Sequence, residues 1–227
     1  MKRSLSEPFL DSSRVIPKLC EAMNRPARIT RLPELGLPLP AYMSPYPLFL
    51  LFALLEHKRS FQILDPSDLL GGRESVFRKY IRTNTGAQVV APENADILLL
   101  YGLNLPASDR GMDSLETQYV PKPSLMVCHI DKIAHGAFGP GCLNMELANP
   151  VSGTRTRLGI CDLSDREIEA AAYRSRQSVI TPPRSDLMLC DAYGHIVYLP
   201  HSVHMYVAKG SSGSLSGTSF FPRMAAV

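Results

Sequence analysis

Residues 95–102, ADILLLYG, read as a strand with almost no polar alternation. A strand that shows neither face to water belongs inside a sheet covered on both sides. SLMVCHI at 124–130 reads the same way. Helical patterns alternate with these strands. In SSRVIPKLCEAMN, 12–24, Val15, Ile16, Leu19, Cys20 and Met23 recur at helical spacing. Ser12 or Ser13 can cap this helix, Pro17 is tolerable near its first turn, and Pro26 stops it. PLFLLFALL, 47–55, is too short to span a bilayer and predicts a buried helix. RESVFRKYIRTNTG predicts a helix that stops at Gly86.

Period-two patterning appears in the second half of the chain. In CLNMELANPVSGTRTRLGI, Leu143, Met145 and Leu147 alternate with Asn144 and Glu146, which predicts a half-buried strand followed by an NPVSG turn. SDREIEAAAYRSRQ, 164–177, predicts a helix with a Ser164–Glu167 capping box. SDLMLCDAYGHIVYLP predicts a hairpin with a DAYG turn. FQIL at 61–64 and VHMYVA at 203–208 predict two further strands. Interleaved helices and buried strands, with hairpins supplying antiparallel pairs, give an α/β class with a mixed β-sheet flanked by helices. One domain over 10–208 is expected, followed by a Ser/Gly-rich tail at 209–227 that predicts disorder.

Composition narrows the function classes. Net charge is +3 among 227 residues with no dense Lys/Arg run, which argues against nucleic acid as a partner. The opening MKRSLSEPFLDSS has no apolar segment of the kind an export signal needs. Cys20, Cys128, Cys142, Cys161 and Cys190 are odd in number and contain no CxxC pair, so reduced thiols in a cytoplasm are expected, with no membrane partner.

Few residues stand out as carriers of chemistry. HGAFGPGCL, 135–143, precedes a strand and lacks the lysine and following helix of a phosphate loop, so it reads as a tight corner. His135 and Cys142 flank that corner, but no acid or amide is placed to complete a nucleophilic pair. His201 and His204 would face opposite sides of a strand, and no metal-binding spacing is present. Arg25, Arg28 and Arg31 recur at spacing three, and Arg155 and Arg157 share a face if their segment is a strand. These five form the candidate anion or interface patch, because guanidinium matches phosphate bidentately. The bland alternative is a solvated surface with ion pairs. No catalytic residue, cofactor-binding residue or metal ligand is assigned. Were the chain a pyridoxal-phosphate enzyme, Lys132 would be the best-placed lysine.

The order of four segments resembles one family. SRVIPKLCEAMNRPARI resembles the opening of the PhnH family, a component of the bacterial carbon–phosphorus lyase system. That family begins with a helix reading like FR-x-LL-x-AM-x-RPG; here AMNRPA stands in place, with Ala27 where glycine is usual. FRKYIRTNTGAQVV followed by ENADILLL resembles the family's helix, TGA corner and next strand. FGPGC resembles its Gly-Pro-Gly stretch, and SDLMLCDAYGHIVYLPHSVHMYV its closing hairpin, with His201 where arginine is usual.

The resemblance implies a fold similar to the large domain of pyridoxal-phosphate-dependent transferases, without the cofactor. It implies a cytoplasmic homodimer that joins the G, I and J subunits of the carbon–phosphorus lyase in phosphonate degradation. It implies no catalytic residue in the PhnH-like component itself. A phosphorylated-ligand binding module and a divergent transferase-like enzyme are the alternatives.

Overall fold

A computed structural model describes residues 12–34, 44–55, 59–65, 70–101, 125–135, 143–148, 153, 155–161, 186–200 and 204–207. The predicted helix at 164–177, residues 136–142 of the Gly-Pro-Gly corner, Cys142, His201 and the tail lie outside the described residues.

Helix α1 spans Ser12–Asn24, as its periodicity predicts. Its buried side is Val15, Leu19 and Ala22, however. Cys20 is exposed and Met23 is 40% exposed, so the apolar stripe is narrower than the sequence suggests. Pro17 sits one turn deeper than its ideal place, leaving the Ser13 carbonyl without its helical donor, and the helix continues through it. Helix α2, Pro45–Leu55, buries Leu48, Leu50, Leu51 and Leu55 almost completely. Helix α3, Glu74–Thr85, buries Phe77 and Ile81 and ends at Gly86. There φ is 70° and the Gly86 N–H donates to the Arg82 carbonyl, a left-handed stop that glycine adopts without steric cost.

Seven strands form the main sheet: β1 (Thr30–Arg31), β2 (Ser60–Leu64), β3 (Gln88–Val89), β4 (Ile97–Tyr101), β5 (Leu125–Ile130), β9 (Asp186–Asp191) and β10 (His195–Leu199). Their order is β1-β10-β9-β5-β4-β2-β3. β9, β5, β4, β2 and β3 pair in parallel, while β10 is antiparallel to both of its neighbours. The reversal comes from the β9–β10 hairpin, whose turn holds Gly194 at φ +85°. A Cβ there would lie 2.6 Å from the Tyr46 ring, so this corner of the chain is closed against α2.

The four remaining strands form a second, antiparallel sheet, ordered β11-β7-β8-β6: β6 (Lys132–Ala134), β7 (Leu143–Ala148), β8 (Arg155–Cys161) and β11 (His204–Val207). The main sheet therefore has two different covers. Val127, Met188, Cys190 and Ile196 face a core shared with α1, α2 and α3. Met126, Cys128, Leu187, Leu189 and Val197 face a core shared with Met145, Leu147, Leu158 and Ile160 of the second sheet. The α/β class and the mixed sheet with flanking helices agree with the sequence reading. The second sheet, which covers the other face over the described residues, is an addition to it. Two- and three-residue strands such as β1, β3 and β6 carry too few residues to show a period, and so give no sequence signal.

Candidate functional site

In open α/β sheets, ligands bind beyond the carboxyl ends of the parallel strands. Here β4 ends at Tyr101, β5 at His129 and Ile130, and β9 at Cys190 and Asp191. The register aligns Tyr101 with His129, His129 with Cys190, and Cys190 with Ile196 of β10. Side chains alternate along a strand, so aligned positions on parallel neighbours share a face. A phenol, an imidazole and a thiol thus form one row across three adjacent strands.

Tyr101 is 4% exposed and its ring centroid lies 5.2 Å from that of His129. Phe77 of α3 meets Tyr101 edge to face at 6.1 Å. Tyr101 Oη and His129 Nε2 are both shielded from solvent and have no hydrogen-bond partner among the described residues. Burial holds both groups uncharged. It pushes the Tyr101 hydroxyl far above its usual range, aided by Cys190 and Asp65. It lowers His129 to about 4, against a smaller upward pull from Asp191. Burial also raises the Cys190 thiol, so this cysteine is a packing group rather than a nucleophile.

Asp191 is fully buried yet completely partnered. Its Oδ1 accepts from the Tyr193 and His195 backbone N–H groups at 2.9 and 2.8 Å. Its Oδ2 accepts from the Ile133 N–H at 2.9 Å and lies 2.8 Å from His195 Nδ1. Four partners fill the acceptor sites of an ionised carboxylate. Asp191 therefore ties the β9–β10 turn to β6 of the second sheet and is a structural anchor. In the sequence it looks like an ordinary turn residue of DAYG.

The Arg residues of the candidate patch are divided between the segment from α1 to β1 and strand β8 of the second sheet. Arg25 follows α1 and stands 3.7 Å from Glu21; Arg28 is exposed in the link that follows; Arg31 is on the edge strand β1, 3.8 Å from Glu34. Arg155 and Arg157 are exposed on β8, Arg155 at 3.0 Å from Glu146 and Arg157 opposite Glu146 in register. Arg25, Arg31 and Arg155 each have a carboxylate neighbour, which fits a solvated surface with ion pairs. Lys132 is exposed on β6, off the parallel strands. Among the described residues no group of three or more His, Cys, Asp or Glu converges as metal ligands, and no helix is long and apolar enough to cross a membrane.

Tyr101, His129 and Asp191 are the residues that sequence reasoning missed. Their only signal was a polar residue at the end of each buried strand. The alignment of those ends needs the sheet order, which no single segment carries. No family model matches the chain, and no curated protein matches it either.

Proposed function

We propose that the chain is an assembly component of a carbon–phosphorus lyase system, equivalent to PhnH, acting in phosphonate degradation without catalytic residues of its own. One observation carries this reading beyond the ordered motifs. The family resemblance places glycine at position 27, and Ala27 here has φ +65°, the one described non-glycine residue with positive φ. Ala27 is buried and its N–H donates to the Tyr198 carbonyl at 2.9 Å, so the left-handed geometry is built into the packing of the closing hairpin. A glycine-preferring conformation held by alanine is what a PhnH-like frame with a substituted RPG motif would contain.

Two further observations support it. Three of the four quoted motifs fall on described elements: α1 with its exit, α3 through β4, and the β9–β10 hairpin; FGPGC lies outside the described residues. A mostly parallel seven-stranded sheet with one reversed strand next to its edge is in keeping with a fold like the large domain of pyridoxal-phosphate-dependent transferases. On this reading the protein is a cytoplasmic homodimer that binds the G, I and J subunits. Coexpression with those subunits from the same genome, followed by size exclusion with mass detection, tests it. Stable comigration is expected. A chain that stays apart while the G, I and J subunits assemble rejects the reading.

A further inference from the structure

We propose that the carboxyl end of β4 and β5 is a binding site for an uncharged, hydroxyl-bearing small molecule, with Tyr101 Oη and His129 Nε2 as its recognition pair. Copurification with other subunits does not depend on this site, so failure here leaves the assembly reading standing.

The inference starts from two orphaned atoms. A buried polar group without a partner is destabilising and calls for a specific reason. Two of them, on adjacent strands and on rings 5.2 Å apart, stand where α/β sheets bind ligands. Phe77 fixes one side of the Tyr101 ring, which pre-positions the hydroxyl.

Charge selects the ligand class. Asp65 acts on Tyr101 and Asp191 acts on His129; both carboxylates contribute negative potential and oppose an anion, while the buried Cys190 thiol carries no charge. A cation would need a carboxylate with acceptor capacity to spare. The row holds a phenol, an imidazole and a thiol but no carboxylate, and Asp191, at the end of the adjoining strand, already holds four donors. What remains is a neutral group. Tyr101 can donate to a hydroxyl oxygen, and that hydroxyl can donate to the lone pair of a neutral imidazole nitrogen. Because both atoms are screened from bulk water, entry requires local opening, and association is slower than diffusion.

The test uses the full chain with 15N-labelled histidine. D-glucose, D-ribose and uridine serve as uncharged probes at millimolar concentration, with inorganic phosphate as the anionic control. At least one uncharged probe is expected to shift the His129 ring-nitrogen resonances saturably and to raise Tm. Tyr101→Phe is expected to weaken that response by about tenfold or more while leaving the ligand-free Tm equal or higher, because it deletes an unpartnered hydroxyl. His129→Leu should likewise weaken the rise in Tm that the probe causes. Three results overturn the proposal: no response to any uncharged probe, a response to phosphate instead, or a fall in ligand-free Tm for Tyr101→Phe. The last would mean that the hydroxyl already has a partner, such as an ordered water.

Discussion

The two ends of the parallel strands treat their polar groups differently. At the amino end the groups are paired with one another. Asp96, just before β4, accepts from the Ser60 N–H and Oγ at 2.9 and 2.8 Å, and its own N–H donates to Ser60 Oγ at 3.1 Å. Asp186 at the start of β9 accepts from the Tyr198 hydroxyl. At the carboxyl end Asp191 is equally complete, but Tyr101 and His129 beside it are not. Among the described residues four buried side-chain polar atoms lack a partner; Ser44 Oγ and Arg78 Nε stand singly off the sheet, whereas Tyr101 Oη and His129 Nε2 are the two that sit on adjacent strands with their rings in contact. Burial alone therefore does not identify a site; the informative quantity is two buried, unfilled hydrogen-bonding groups side by side.

The comparison breaks most easily at Asp191. Asp191→Ala removes the acceptor for three backbone N–H groups and for His195, and should cost about 3–5 kcal/mol in urea unfolding with an unchanged m-value. A loss below about 1 kcal/mol would show that the anchor is dispensable.

His129 sharpens the comparison through pH. Its pKa falls from 6.5 in the unfolded chain to about 4 in the folded protein, so the unfolded state binds the proton more readily between those values. The stability tied to the neutral ring is present in full above pH 6.5 and is lost as pH falls toward 4, by up to about 3 kcal/mol. Urea midpoints measured across this window should show a steeper slope in the wild type than in His129→Leu. Equal slopes in the two proteins would mean that His129 does not titrate as its burial requires.

At the amino end, Asp96→Ala should cost about 1–2 kcal/mol in urea unfolding, because it removes the acceptor of the Ser60 N–H at a partly solvated position, while the Ser60 hydroxyl keeps the Asn94 carbonyl. The smallest effect belongs to Ala27→Gly. Relief of the left-handed strain, set against the loss of one buried methyl, predicts a gain of no more than about 1 kcal/mol. A clear loss on calorimetry would remove the observation on which the assembly reading leans.

Much of the frame was legible in the sequence because the signals were local. Gly86 ends α3 where a left-handed residue is needed, and β4 shows both of its faces as apolar. The β9–β10 hairpin announced itself by its turn, although Asp191 was hidden within it. The second sheet was only half legible. β7 alternated as expected, but Asn144, read as outward, is 7% exposed, and β6 passed unnoticed. The Tyr101–His129 pair was not legible at all. It exists because β4 and β5 are neighbours in register, although 23 residues separate the described ends of the two strands. The Arg spacing at 25, 28 and 31 was real in the sequence, but the chain leaves its helix at Arg25, so helical spacing no longer sets a common face.

Strand β4 belongs to two interiors at once. Ile97, Leu99 and Tyr101 serve the helix-side core, while Leu98 and Leu100 serve the core shared with the second sheet. Inserting or deleting one residue in this strand would send every side chain to the opposite interior. Substitutions of similar size could be absorbed there, but a change of length could not. Among variants of this chain, β4 should be free to vary in its aliphatic letters and closed to any shift in their count.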